Sequence, residues 1–510
     1  MTNELLTWAW IFLIAYIAAM IGIGIYAGRQ VKNGDDYAVA RNAYGPFLLA
    51  LAFAATTASG ATFIGIPGLG YSLGVSSLWY PFLYPVGVYI GVLLCMNAVA
   101  KGGAAFGSRS IPEYLGERYK SDFIRLAFSI FSLILLFYLA GQLVAGLVMF
   151  EQILGLDKEY ALALTTIVLL IYVSIGGAHA DIITDGVQGL MMLAIALFIV
   201  FLFVRGVNID GNFVPVLDIL KQSDPSLVTP FKEDNALFGS PLTIFLMVIA
   251  HIPLGMLPHI GNKIWALNSH SDRKRFLIMA FIFAMILPCM ALGGLMARAV
   301  LGDDLLQTGL SPNESIPALF IEIMPAWFAA LLSVAIISAI MSTADGLVIS
   351  ASQVFANDIY RLSIVPKWHA HLSEEAVDRQ VLNISRYATV AVLVGSAFMA
   401  WALLDVNIAL IVWIGIGGMT SALAGPLVLG SQWSGVNKSG AIAGMICGAV
   451  TFILLHSGIL AFIVGAAPES WLSIQSSNAF TCSGIGVIVS VTCTVIMSLM
   501  SSSNRQVLET

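Results

Sequence analysis

The stretch Ala54-Ala55-Thr56-Thr57-Ala58-Ser59-Gly60-Ala61-Thr62, followed after Phe63 and Ile64 by Gly65-Ile66-Pro67-Gly68, decides how this chain is read. It sits inside an apolar run over 46–71, and about 20 apolar residues suffice for a helix to cross a bilayer. Its small, hydroxyl-bearing and helix-breaking residues are not what a lipid-facing helix carries. An interruption there frees backbone carbonyls where no water can bond them, so side chains or a bound cation inside the protein must meet them. A second apolar run, 238–261, is interrupted in the same manner, with Pro253, Gly255, Pro258 and Gly261 among His251, His259 and Asn262. Five spans separate the two starts, the spacing of inverted repeats whose first helices are both broken. Proline kinks with small residues for close packing are the plainer alternative for either break taken singly.

The composition around these breaks excludes a soluble protein. Of 510 residues 59% are apolar and 10% charged, and the mean hydropathy is +0.91. Soluble chains are roughly a quarter charged, so soluble enzymes and nucleic-acid binders are excluded and the lipid bilayer is the main partner. Apolar runs predict an all-α polytopic protein with thirteen spans, at 5–27, 46–71, 78–100, 122–152, 159–178, 184–206, 238–261, 276–300, 325–358, 383–404, 406–430, 439–464 and 479–501. The first is a span and not a signal peptide, because Arg29, Lys32 and Arg41 follow its apolar run and its length is that of a full crossing. With the N-terminus outside, 18 of the 23 Lys and Arg fall on the inner side, leaving Lys158, Arg205, Lys221, Lys232 and Arg298 outside. That asymmetry predicts a multi-pass plasma (inner) membrane protein with a cytoplasmic C-terminus. The net charge of -6 adds little to it. Cys95, Cys289, Cys447, Cys482 and Cys493 all lie in apolar stretches, as packing thiols do.

Grouped by the repeat spacing, 1–45 is the first span with an inner loop, and 46–206 is inverted repeat 1 (spans 2–6). Residues 207–237 form an outer loop, 238–430 inverted repeat 2 (spans 7–11), and 431–510 the last two spans with a short tail. The outer loop, rich in Asp, Pro and Asn, is expected to hold at most a short surface helix. The inner connection 361–382 mixes both charge signs and reads as a solvated face. Its His369 and His371 have no Cys or third His beside them to complete a metal site.

Span 9 contains Ala339-Ile340-Met341-Ser342-Thr343-Ala344-Asp345-Gly346, in which positions 339, 342, 343 and 346 share one helical face. The hydroxyls of Ser342 and Thr343 would add two neutral oxygens to the carbonyls freed in span 2. Oxygen-only ligation of that kind suits a small alkali cation. On residue type alone, hydroxyls that bond back to their own helix are the commoner outcome. Ionisable groups deep in spans cost about 2.5–3.5 kcal/mol on insertion scales, so each needs a reason. Asp345 can complete a second cation site or carry a proton. Asp185, near the inner end of span 6, is a second such group, and capping its helix is the plainer account of it. Gln142 in span 4 is a further polar insertion, whereas Arg298 lies close enough to the outer end of span 8 to snorkel.

In order and spacing, the chain from the Ala55 region to about Gly448 resembles the sodium:solute symporter family. The residues that carry this are Gly65-Ile66-Pro67-Gly68, Thr184-Asp185 with Gln188-Gly189, Ala339-Ile340-Met341-Ser342-Thr343, and Asp358-Ile359-Tyr360. Gly425-Pro426-Leu427-Val428-Leu429-Gly430 with Trp433, Asn437 and Gly440-Ala441 completes them. The resemblance implies a five-plus-five inverted-repeat transporter that moves a small-molecule substrate inward with sodium by alternating access, with no enzymatic activity and no obligate protein partner. It places the general sodium site at the carbonyls of Ala55, Ala58 and Ala339 with the hydroxyls of Ser342 and Thr343. It places Asp185 near a second sodium or in coupling, whereas Asp345 is a candidate for that second cation or coupling site on the reading of its residue alone. Sialic acid symporters carry hydroxyls after the Ser/Thr pair, and this chain departs from them with Asp345 and Gly346.

Thr57, Ser59 and Thr62 fit the family's substrate-facing positions, and Gln142, His251 and His259 would add hydrogen bonds. An unwound helix end also presents N–H donors to anions. Leu257-Pro258-His259 followed by Lys263, and Asp224-Pro225-Ser226-Leu227-Val228-Thr229-Pro230, are similar to the pantothenate and monocarboxylate branch. Lys263 falls near an inner helix end, where the charge rule alone explains it. The expected activity is sodium symport of a small organic acid such as pantothenate or a monocarboxylate. The alternatives are an amino acid or a sugar or sialic acid as cargo, or a transporter-like membrane sensor, which the absence of a signalling module after the last span disfavours.

Overall fold

The computed structural model describes residues 3–31, 38–173, 177–307 and 311–508. Lys32, counted above as an inner charge, and positions 174–176 of the fifth expected span lie outside them. The described chain is helical almost throughout. Among the described residues ten helices are long and apolar enough to cross a membrane, or eleven if the pair Pro241–Met256 and Pro258–Ala266, bent by 51°, makes one span. The expected count of thirteen is thus not reached among the described residues. The first broken span contributes only the 12-residue helix Pro46–Thr57 before its interruption, and its second half runs on helically into the next expected span over Ala61–Phe106. Lys158–Val173, at 16 residues, is shorter than a full crossing up to where its description ends.

Burial sorts the helices into a centre and a rim. Within the most apolar window of each, Ile408–Gln432 is 89% buried and Ala326–Trp368 is 78% buried, against 28% for Asn3–Gly28. The first half-helix, Pro46–Thr57, lies inside, packed against Gly177–Arg205, Arg273–Ile286 and Ala326–Gln353. The two halves of the molecule are also tied along the backbone. Asn42 and Tyr44, just before the first broken span, donate to Trp265 O and Ala266 O at 3.0 and 2.9 Å, at the end of the second.

Small residues set the closest helix contacts, as they do where lipid gives no hydrophobic drive. Gly440 and Gly444, one turn apart on Lys438–His456, face Ser498 and Thr494 of the last helix, where an added Cβ would meet the hydroxyls. Between 207 and 237 the structure departs from the expected short helix. Val207–Ile209 and Asn212–Val214 form an antiparallel hairpin ahead of the helix Val216–Ser223. Asp210 and Gly211 at its tip both have positive φ, 52° and 87°, which is the two-residue turn that Asp-Gly favours between short alternating segments. The loop is anchored on Trp79, whose indole stacks on Phe231 and donates to Pro230 O at 2.7 Å.

Candidate sodium and coupling site

The first break is a helix end held open by side chains from distant helices. Pro46–Thr57 stops at Ala58, whose φ of −97° and ψ of 85° turn its carbonyl off the helix axis. In a continuous helix Gly60 and Ala61 would donate to Thr56 and Thr57. Instead Gly60 N–H donates to Gln142 Oε1 at 2.9 Å and Ala61 N–H to Ser59 Oγ at 3.2 Å. A π-helical turn, Ala61–Gly65, then leads into Ile66–Leu73, and Asn407 Nδ2 donates to Gly65 O at 3.2 Å. The second break follows from its prolines. Leu257, preceding Pro258, is extended at φ −57° and ψ 148°, because a residue before proline is disfavoured in the helical region.

Ser342 and Thr343 reach across to the first break. Ser342 Oγ donates to both Ala55 O and Ala339 O at 3.2 Å, and Thr343 Oγ1 donates to Thr56 O at 3.2 Å. All are fully buried, and so is Ala58. Three of the five expected sodium-site residues, Ala55, Ser342 and Thr343, therefore meet at the end of one half-helix, Ala339 adds its carbonyl on the other side of Ser342, and Ala58 is the residue at which that half-helix opens. The hydroxyl of Ser342 does bond back to its own helix, as residue type alone suggested, and it bonds across to Ala55 as well. Thr56 was not singled out in the sequence, yet its carbonyl is the one Thr343 meets.

On its other side Thr56 faces a buried ionic cluster. Lys263 Nζ lies 2.5 Å from Asp185 Oδ2, 2.8 Å from Asp181 Oδ2 and 2.7 Å from Thr56 Oγ1, which is itself 2.7 Å from Asp185 Oδ2. Asp181, Asp185 and Asp345 each bring a carboxylate oxygen within 4.8 Å of the other two, and all three are buried. Two expectations are corrected here. Asp185 is not a helix cap, because its helix, Gly177–Arg205, begins two turns earlier. Lys263 is not a surface charge at a helix end; only 4% of its side chain is exposed, and a buried charge persists when oppositely charged groups and hydrogen bonds surround it. The signal that could have found Asp181 was its i, i+4 spacing to Asp185, which puts both on one face. A cleft lined by Asp181, His259, Lys263, Gly346, Arg109 and Gln353 opens onto this cluster.

The expected substrate residues separate into groups. Thr57 Oγ1 bonds back to Phe53 O and Ala54 O at 3.1 and 2.8 Å, Ser59 caps Ala61, and Thr62 is buried in the π turn. Gln142 props the break open through Oε1, while its Nε2 has no hydrogen-bond partner among the described residues. His259 has no hydrogen-bond partner on either ring nitrogen among the described residues, and its ring meets Tyr138 edge-on at 5.5 Å. His251 stands apart, in a cage of Tyr80, Tyr84, Trp413 and Phe480, with Nδ1 2.6 Å from Met247 O and Nε2 without a partner among the described residues. Arg298, expected to snorkel, is ion-paired with Asp303 and lies over the Tyr71 ring at 5.3 Å.

The chain is similar over most of its length to known proteins. The family model described as the sodium:solute symporter family matches residues 37–448. The chain is 28% identical over 483 residues to the sodium/pantothenate symporter of Haemophilus influenzae, covering 89% of this chain and 95% of that protein. It is 29% identical over 460 residues to the sodium/proline symporter of Escherichia coli, covering 86% of each. A solved structure described as a substrate-bound, outward-open Na+-coupled sialic acid symporter has the same fold, with a TM-score of 0.74 and 23% identity over 97% of this chain and 98% of that one. With two broken helices, a hydroxyl pair that spans to the first of them and a family match over most of its length, this multi-pass membrane chain belongs to the sodium:solute symporter family.

Proposed function

We propose that the chain imports a small organic acid together with sodium by alternating access, with 46–206 and 238–430 acting as the two inverted repeats and 431–510 packed outside them. The observation that carries the reading is the placement of Ser342 Oγ between Ala55 O and Ala339 O, with Thr343 Oγ1 on Thr56 O. These contacts, at 3.2 Å, are longer than the usual hydroxyl hydrogen bond. A sodium ion, which is cargo here, would draw on the lone pairs of both hydroxyls and on the carbonyls of Ala55, Ala58 and Ala339. It would thereby hold Ala326–Gln353 against the end of Pro46–Thr57. A conformation that separates the two helices loses the site, so sodium favours the closed arrangement by the difference in its affinity for the two states.

The cargo reading rests on a shared chemistry. Pantothenate, proline and sialic acid, named for the relatives above, all carry a carboxylate. Near the break, Gln142 Nε2 and the ring nitrogens of His259 are buried polar atoms without partners among the described residues. Such atoms are costly unless a ligand or water satisfies them. We assign Gln142 and His259, with Ser59, Thr57 and Thr62, to substrate binding. We add His251 to this set through its Nε2, which has no partner among the described residues. An amino acid is the second reading, favoured by the 29% identity to the proline symporter beside 28% to the pantothenate symporter. The N-terminus is assigned outside and the C-terminus inside.

Uptake of radiolabelled pantothenate, lactate, proline and sialic acid into proteoliposomes, with inward sodium or choline gradients, tests both levels. Accumulation of one acid with sodium alone is the expected result. Accumulation indifferent to the ion would refute the coupling, and uptake of none of these acids alongside sodium-driven uptake of labelled glucose, included as an uncharged solute, would refute the acid assignment.

A further inference from the structure

We propose that Lys263 is a tethered cation that fills the second cation position of this transporter, so that each cycle carries a single sodium, the one at Ser342 and Thr343. This rests on the symport reading above. Asp181, Asp185 and Asp345 bring three buried carboxylates to one point, with oxygens within 4.8 Å of one another, a donor set able to hold a metal ion. The ammonium of Lys263 already sits in it, at 2.8 Å from Asp181, 2.5 Å from Asp185 and 2.7 Å from Thr56 Oγ1. Its three N–H donors thus take up three oxygens on which a free monovalent cation would otherwise draw.

Two further oxygens, Asp181 Oδ1 and Asp185 Oδ1, are buried without a hydrogen-bond partner among the described residues, so the cluster retains unspent acceptors aimed inward. A mobile cation drawn to them would stand a few ångströms from the ammonium and be repelled, with little solvent to screen it. The lysine stem is buried together with its charge, so the ammonium cannot leave for water while the helices hold this arrangement. Thr56 links the two positions: its carbonyl meets Thr343 and its hydroxyl meets Lys263. Lys263 is thus a positioning residue for the first sodium and an occupant of the place where a second would bind.

The test counts sodium ions. Equilibrium binding of radioactive 22Na+ to the purified full-length chain should give about one ion per wild-type chain. In Lys263→Gln, which empties the acidic cluster, it should give about two. Lys263→Arg, which keeps the charge, should stay at about one. Two ions on the wild-type chain would overturn the inference without any variant, and so would a single ion on a Lys263→Gln chain that remains monodisperse, or two on Lys263→Arg. Sodium binding that is absent from the wild type, or unchanged in Ser342→Ala with Thr343→Ala, would instead overturn the symport reading itself.

Discussion

Replacing Ser342 and Thr343 together by alanine removes two of the five oxygens assigned to sodium and strands the carbonyls of Ala55 and Thr56, which those hydroxyls now meet at 3.2 Å. A hydrogen bond to a charged partner is worth about 1.5–3 kcal/mol. If ion ligation follows that scale, each hydroxyl accounts for about a 10- to 150-fold change in sodium affinity. Ser342 serves two carbonyls and Thr343 one, so Ser342→Ala should weaken sodium more than Thr343→Ala. Thr343→Ser, which keeps the hydroxyl, should differ little from wild type. The assay is thermal unfolding of the purified protein in sodium chloride against choline chloride at constant ionic strength. Sodium at 100 times its dissociation constant stabilises the wild type by about 2.7 kcal/mol. A site weakened 100-fold at the same concentration retains only about 0.4 kcal/mol. Independently of sodium, each stranded buried carbonyl should lower stability by about 1–3 kcal/mol. A double variant that keeps the full sodium-dependent shift refutes the assignment.

Lys263→Met should lower stability by about 3–5 kcal/mol, because it leaves Asp181 and Asp185 buried beside each other without their cation. Combining it with Asp185→Asn should restore part of that loss, and strict additivity in a denaturation series would argue against a coupled cluster. Gln142→Ala leaves the Gly60 N–H without its acceptor and should cost about 1–3 kcal/mol in melting experiments. Its substrate uptake should fall further than its stability does, since Nε2 is also assigned to substrate. Gly60→Ala puts a Cβ 2.9 Å from Ala145 Cβ and Gln142 Oε1 and 3.0 Å from Ile340, so it should reduce sodium-driven uptake, and wild-type transport would show that the break has slack. Asp345→Asn should alter the sodium dependence of uptake, measured as initial rate against sodium concentration. An unchanged curve would make Asp345 structural.

Much of this fold and site is local in origin and so was legible along the chain. Apolar length marks most of the spans, prolines and glycines mark both interruptions, and a Ser-Thr pair in a long apolar helix advertises oxygen ligands. The span count was less secure, because a broken helix supplies one short piece and one piece that merges into its neighbour, as Pro46–Thr57 and Ala61–Phe106 do. The hairpin at Asp210-Gly211 was missed although its turn dipeptide was in view, since polar composition had suggested only a surface helix.

What the sequence by itself determined is that the chain lives in a bilayer, breaks two of its helices and carries the alcohols and carboxylates from which an ion site can be built. Only the tertiary structure decided which of them meet. Lys263 lies 78 residues from Asp185, Gln142 lies 82 from Gly60, and Ser342 lies 287 from Ala55. The reason is electrostatic and steric. In a low-dielectric interior a charge or a freed carbonyl must find a partner somewhere, and which partner it finds is set by how the helices pack, a property that no stretch of neighbouring residues encodes.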